Sequence, residues 1–234
     1  MTIYQLASSP ITEPVAYVLG LVFPLFIDKK EVFDKFNGKK YAAGCVNYNS
    51  NMVTDSALAE HFRIVNNLCK KIDCQIKTNG KDKYRVNDFS CSPKKGFSCL
   101  IDTTGVSKEQ CEIIFRNLVK DIKVSDNFKL KSTFIRACFD GRGSWDTTLH
   151  CFSVDIDRKV PDKTKRCDQF LIKSICDSVL CGDAVQINQR DWVHKKNDQL
   201  RIRKNYLRKF LTSVDLYSIA RKQILMNGLN DIGI

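Results

Sequence analysis

Two apolar stretches of helical length stand about 117 positions apart: Ala16-Tyr17-Val18-Leu19-Gly20-Leu21-Val22-Phe23, and Phe134-Ile135-Arg136-Ala137-Cys138-Phe139 running into Asp140-Gly141-Arg142-Gly143-Ser144. Self-similarity at long range constrains the fold more than any local propensity, because it predicts two copies of one unit facing each other. In the second copy, glycines let the chain turn while Asp140 sits at the helix end. A carboxylate in that position is a candidate ligand for a metal ion.

The segments around these stretches repeat in order. Thr12-Glu13-Pro14 is a helix start, with a capping hydroxyl and a proline tolerated in the first turn. Lys39 to Asn49 alternates as a strand ending in Asn49-Ser50-Asn51. From Asp55, Leu58, Phe62, Val65, Leu68, Cys69 and Ile72 recur at helical spacing. Short strands follow at Cys74 to Thr78, Tyr84 to Phe89 and Gly96 to Ile101. Ser107 with Gln110 three residues on forms a capping box for the next helix.

The second half is expected to run as a helix from Leu130, a strand from Thr147 to Asp157, a helix from Arg166 to Leu180, strands at Ala184 to Asn188 and Gln199 to Arg203, and a final helical region. The predicted organisation is a first half over 1–122, a polar basic linker over 123–131 and a second half over 132–234.

The formal charge of +12 gives the chain a positive field that attracts polyanions. The charge is concentrated: Arg190 to Lys222 holds ten lysines or arginines against three aspartates. Arg190, Lys195, Lys196, Arg201, Arg203 and Lys204 lie on or beside an expected hairpin, with Trp192 among them. Arginines on strands give forked hydrogen bonds to guanine edges as well as to phosphate. The spacing of Arg201 and Arg203 predicts that both point to one face.

The eleven cysteines are odd in number and contain no Cys-x-x-Cys pair. With no secretory character at the start, they are expected to be reduced thiols in an intracellular compartment rather than a disulfide or zinc scaffold. The apolar run Val15 to Ile27 is too short for a membrane span and contains Pro24.

The paired stretches resemble the signature helices of the LAGLIDADG homing-endonuclease family, Val18 to Phe26 matching the first signature and Ile135 to Gly143 the second. The resemblance implies an α+β fold of duplicated αββαββα units about a pseudo-twofold axis, with curved antiparallel sheets. Gly20 and Ala137 would then be the small residues at the helix interface. It also implies a monomer with internal pseudo-symmetry that lays its sheets on double-stranded DNA, with Ser153, Asp155 and Arg158 as base or phosphate contacts.

In that family the last acid of each signature holds the divalent metal. The matching positions here are Leu25 and Arg142, which cannot ligate magnesium. The remaining candidates are Asp140 as catalytic ligand, with Asp146, Asp28 and Glu31 beside it if the helix ends meet. Lys222 would stabilise a phosphate if the last helix returns there, and Arg142 would contact phosphate directly.

Two functions stay open on this basis: a magnesium-dependent site-specific DNA endonuclease, and a degenerate binder of DNA or RNA acting as a regulator or splicing cofactor. A restriction-type nuclease is a further alternative, using Asp146 and Asp157-Arg158-Lys159, in which two carboxylates hold magnesium and the lysine activates water. An RNA-binding or protein-binding adaptor is the remaining class.

Overall fold

The computed structural model describes residues 1–26, 31–34, 38–46, 55–78, 96–156, 163–188 and 198–233. The expected strand at Tyr84 to Phe89 lies outside them. A short helix α1 (Ile3–Ser8), held by a Thr2–Gln5 capping box, comes first. The first unit follows as α2 (Glu13–Phe26), β1 (Glu31–Asp34), β2 (Lys39–Val46), α3 (Asp55–Lys70), β3 (Gln75–Thr78), β4 (Phe97–Asp102) and α4 (Lys108–Val124). The second unit is α5 (Phe128–Arg142), β5 (Gly143–Asp146), β6 (Cys151–Ile156), α6 (Lys163–Leu180), β7 (Val185–Asn188), β8 (Asp198–Ile202) and α7 (Leu207–Val214). A last helix, α8 (Ile219–Asp231), extends it.

The duplication is therefore real at the level of topology. Both units read αββαββα, and both sheets are antiparallel with the same strand order, β1-β2-β4-β3 and β5-β6-β8-β7. This is a mixed α and β fold with two four-stranded sheets. Only Ser125 to Asn127 separate α4 from α5, so the rest of the basic tract 123–131 is helical.

Strand alternation decides which sheet face the helices cover. In the first sheet Ala42, Val46, Phe97, Cys99 and Ile101 enter the main core. Tyr41, Ala43 and Leu100 form a separate apolar cluster on the opposite face, with Cys45 against it. In the second sheet Phe152, Val154, Ile156, Leu200 and Ile202 enter the main core, and Phe152 stacks on Phe139 of α5 at 5.3 Å.

Helices α2 and α5 meet at the centre of this core. A Cβ built on Gly20 would lie 2.3 Å from the Phe134 carbonyl oxygen and 2.7 Å from the Ala137 Cβ, so the backbones approach more closely than any side chain at position 20 permits. The units are also joined at their edges. Arg116 of α4 grips Asp168 of α6 through two hydrogen bonds of 2.7 and 3.0 Å, with the carboxylate almost fully buried.

Two expectations for the second unit are corrected. The strand expected from Thr147 to Asp157 begins only at Cys151. Thr147 to His150 form a turn in which His150 has φ +47°, and the preceding strand β5 pairs back across it. The final helical region is two helices, broken at Asp215 in the left-handed conformation with φ +47°. Among the described residues no helix is long and apolar enough to cross a membrane.

Replacing Gly20 with alanine is expected to destabilise the protein by about 1–3 kcal/mol, since the obstructing atom is main chain and cannot rotate away. Gly141→Ala is the contrast, because the nearest atom to its added Cβ is a mobile Leu21 methyl at 3.2 Å. Urea unfolding should place Gly20→Ala well below Gly141→Ala, and equal midpoints would show that the helix contact is not tight.

Candidate nucleic-acid interface

The open face of the second sheet carries polar side chains in register. Ser144 of β5 stands opposite Ser153 of β6, which stands opposite Arg201 of β8, which stands opposite Gln186 of β7. One row thus crosses all four strands with two hydroxyls, a guanidinium and a carboxamide. Arg201 is half-buried, and its Nε and Nη2 donate to Gln199 Oε1 at 3.1 and 3.0 Å, which holds the guanidinium over the sheet. Ser144 and Gln186 are exposed. Ser153 is buried rather than solvated, and its hydroxyl has no hydrogen-bond partner among the described residues.

The first sheet presents a different open face. In the corresponding region Tyr41, Ala43 and Leu100 supply apolar surface. The polar groups Lys39 and Asp102 are paired with each other at 2.9 Å. Gln75 and Lys77 of β3 stand opposite Leu100 and Ser98 and add amide and ammonium groups at the sheet edge. The two faces therefore differ in hydrogen-bonding capacity although their topology is the same.

Asp140 is not on either face, which corrects its assignment as a metal ligand and catalytic group. It is fully buried. Its Oδ2 accepts from the Tyr17 hydroxyl at 2.9 Å and the Tyr217 amide at 3.1 Å, and its Oδ1 accepts from the Ser218 amide at 2.9 Å. These amides lie at the N-terminal end of α8, where helix polarity favours a negative charge. The Tyr17 hydroxyl has one proton and gives it to Asp140. The His61 Nε2 at 3.0 Å must then carry a hydrogen and donate to the Tyr17 oxygen.

The same helix returns a cation to the end of α5. Arg221, almost fully buried, donates through Nε to the Asp140 carbonyl at 2.9 Å, through Nη2 to the Gly141 carbonyl at 3.0 Å, and through Nη1 to the Gly143 carbonyl. Further along α5, the Ser132 hydroxyl donates to the Ser213 carbonyl at 2.8 Å and Arg136 Nε to the Val214 carbonyl at 2.7 Å. Ser132, Arg136 and Asp140 are spaced four apart, so one stripe of α5 satisfies both sides of the break between α7 and α8.

A divalent cation does not fit this junction. Three hydrogen bonds already occupy the Asp140 oxygens, and a buried guanidinium lies on the carbonyls next to them. Among the described residues no group of three or more His, Cys, Asp or Glu side chains is arranged to hold a metal ion.

The other expected site residues are dispersed. Asp146 turns its Oδ1 to the amides of Thr148 and Leu149, both at 3.0 Å, and so caps the β5–β6 turn. Lys222 pairs with Asp215 at 2.8 Å across the helix break. Arg203 is paired with Asp183 at 2.9 Å, and Lys173 reaches the same carboxylate at 2.6 Å. Lys204 is exposed in a 3-10 turn after β8, and Arg142 is the half-buried last residue of α5. Asp155 lies opposite Gln199 in the β6–β8 register, and Leu25 lies in the last turn of α2. Asp28, Asp157, Arg158, Lys159, Arg190, Lys195 and Lys196 lie outside the described residues.

Sequence reasoning missed Gln186, Gln199 and Ser144 on the open face, and Tyr17, His61 and Arg221 around Asp140. Register supplies the first three once β5 is recognised. For the others the only available signal was a histidine and an arginine at otherwise apolar helix positions.

The Asp140 junction makes a definite statement about pH. Burial, the largest influence, raises the Asp140 pKa to about 6 against the hydrogen bonds from Ser218, Tyr17 and Tyr217, and lowers that of His61 to about 3, helped by Arg221. Asp140 thus withdraws stability as pH rises from about 4 to 6, while His61 withdraws it as pH falls from about 6.5 towards 3. The two oppose each other between pH 4 and 6. Asp140→Asn should therefore add a rise of stability with pH of up to about 1.4 kcal/mol per unit relative to the parent protein in that window. Parallel urea midpoints for the two proteins at pH 4, 5 and 6 would refute the assignment.

No protein-family profile matches the chain, and no curated protein does. The chain is structurally similar to solved LAGLIDADG proteins at low identity. One is I-DmoI in complex with DNA and Ca, at 14% identity and TM-score 0.49, covering 97% of this chain and 100% of that one. I-DmoI in complex with DNA and Mn gives 15% identity and TM-score 0.47, over 91% and 97%. The N-terminal LAGLIDADG domain of DUF199/WhiA gives 13% identity and TM-score 0.46, over 92% and 90%.

Proposed function

We propose that this chain binds double-stranded DNA with the open faces of its two sheets, and that the end of α5 contributes structure rather than metal chemistry. The observation that carries the reading is the row Ser144, Ser153, Arg201 and Gln186, which crosses the second sheet on the face its helices leave open. A guanidinium and a carboxamide directly opposite each other on neighbouring strands supply the side-chain types that pair with guanine and adenine edges in the major groove. The formal charge of +12 supplies the sequence-independent attraction to phosphate.

The degenerate-binder form of this reading is favoured over an endonuclease by the chemistry at Asp140. Metal-dependent phosphodiester hydrolysis, the chemistry the endonuclease reading requires, uses accessible carboxylate oxygens to hold the ion. At Asp140 these oxygens face tyrosine and backbone donors in the interior. The reading takes the protein to act as a monomer with two unlike halves, in a reducing intracellular compartment.

The test is selection from a randomised duplex library, with magnesium and separately with calcium, sequencing both retained and cut molecules. Enrichment without magnesium-dependent ends is expected, with affinity falling steeply as salt rises. Arg201→Ala and Gln186→Ala should each relax preference at one position of the enriched motif by about 1–3 kcal/mol, whereas Lys204→Ala should weaken all sequences alike. No enrichment, or better retention on duplex RNA, would refute the DNA reading. Ends that persist in Asp140→Asn would establish an endonuclease with its ligands elsewhere.

A further inference from the structure

Three cysteines from separate elements of the first unit meet under its sheet. Cys69 lies in the last turn of α3, Cys74 precedes β3, and Cys99 lies in β4 with its side chain in the core. The sulfurs of Cys69 and Cys99 are 3.4 Å apart. The Cys74 thiol donates to the Leu100 carbonyl at 3.4 Å, and its amide donates to the Cys69 carbonyl at 2.9 Å. Cys69 thus meets Cys99 through sulfur and Cys74 through the backbone. Cys69 and Cys99 are wholly enclosed, while Cys74 keeps 7% exposure and is the member a small solute reaches first.

We propose that Cys69, Cys74 and Cys99 form an oxidisable thiol site in which hydrogen peroxide converts Cys69 and one neighbour into a disulfide. The peroxide oxygen is transferred first to the Cys74 sulfur, giving a sulfenic acid and releasing water. The Cys69 sulfur then attacks that sulfur, forming the S–S bond and expelling a second water. Two thiols lose two protons and two electrons, and one peroxide is reduced to two waters. Exchange with Cys99 requires only that a third sulfur already in contact displaces Cys74.

The geometry favours this outcome over oxidation of isolated thiols. A disulfide needs its sulfurs to close to about 2.05 Å, a short movement from the present Cys69–Cys99 contact. The Cys74 amide already donates to the Cys69 carbonyl at 2.9 Å, which keeps the two residues adjacent across the turn that joins α3 to β3. The thiols are held protonated: Cys69, then burial, raises the Cys74 pKa, and for Cys99 the lowering effect of Cys69 is outweighed by burial together with the neighbouring Cys74 and Cys45. Oxidation therefore accelerates with pH, since the thiolate is the nucleophile.

The test treats the folded protein with hydrogen peroxide at pH 7 and pH 9, blocks remaining thiols, and maps disulfides by peptide mass spectrometry. The exposed Cys181 serves as an internal control for oxidant delivery. The expected result is Cys69 linked to Cys74 or Cys99, in higher yield at pH 9. In Cys69→Ser, a sulfenic-acid trap should label Cys74 and no disulfide should form within the trio. The proposal is overturned if all three stay reduced while Cys181 oxidises. Two other results also overturn it: Cys74 accumulating as sulfinic acid with Cys69 still a thiol, or Cys74 and Cys99 cross-linking equally well without Cys69. Because the parent protein alone decides the first two outcomes, a folding defect in the variant leaves the test intact.

Discussion

The contact between α2 and α5 is the constraint on which the remaining architecture depends. With Gly20 against the Phe134 carbonyl, the two helices share one backbone-to-backbone surface, and each can then carry its own sheet on the flank. Gly44 repeats the device between α2 and β2, where an added Cβ would lie 2.7 Å from the Leu21 Cβ. A sheet pressed this closely onto a central helix has one face fully covered. Its other face stays uncovered by the helices, which is how a packing constraint in the core becomes a surface property of the sheets.

Around that centre the two units have diverged in what closes them. The first unit ends in one continuous helix, α4, which reaches across to α6 through Arg116 and Asp168. The second unit ends in α7 and α8, and the break between them exposes main-chain groups that must be satisfied within the protein. Ser132, Arg136 and Asp140 do this from α5. On α2, the position of Asp140 in the alignment of the two stretches is held by Phe23, which packs near Phe134 at 6.5 Å between ring centres. The carboxylate is thus matched to a feature that only one unit possesses.

Much of the fold was legible in the sequence because duplication shows by direct comparison of two segments, and helical periodicity and a capping box are local signals. The repeat of an apolar stretch gave α2 and α5, the spacing from Leu58 to Cys69 gave α3, and Ser107 with Gln110 gave α4. Strand β5 was not legible, since four residues following a helix without a break show no alternation of their own. The role of Asp140 was hidden for a different reason. An acid at a helix end beside glycines looks the same in sequence whether it faces solvent or interior, and the donors that decide the matter come from residues 17, 217 and 218. The polar row on the second sheet likewise needs strand register, which joins Ser144 to Gln186 across positions that sequence spacing does not relate.

The junction at Asp140 also shows how the chain's own groups compensate a buried carboxylate. An acid at the centre of two packed helices is costly to bury, and a bound cation is one way to offset that cost. Here the offset comes from within the chain: two amides at the start of α8, the Tyr17 hydroxyl, and the nearby Arg136 charge all favour the anion. Arg221 meanwhile neutralises the carbonyl end of α5, the other group a cation would have served. The same helix therefore supplies donors to the carboxylate and a positive charge to the carbonyls. Once both needs are met by α8, opening the junction to a metal would uncover a buried arginine and an acid together. The arrangement that closes the α5–α8 junction is thus the one that withdraws Asp140 from both sheet faces.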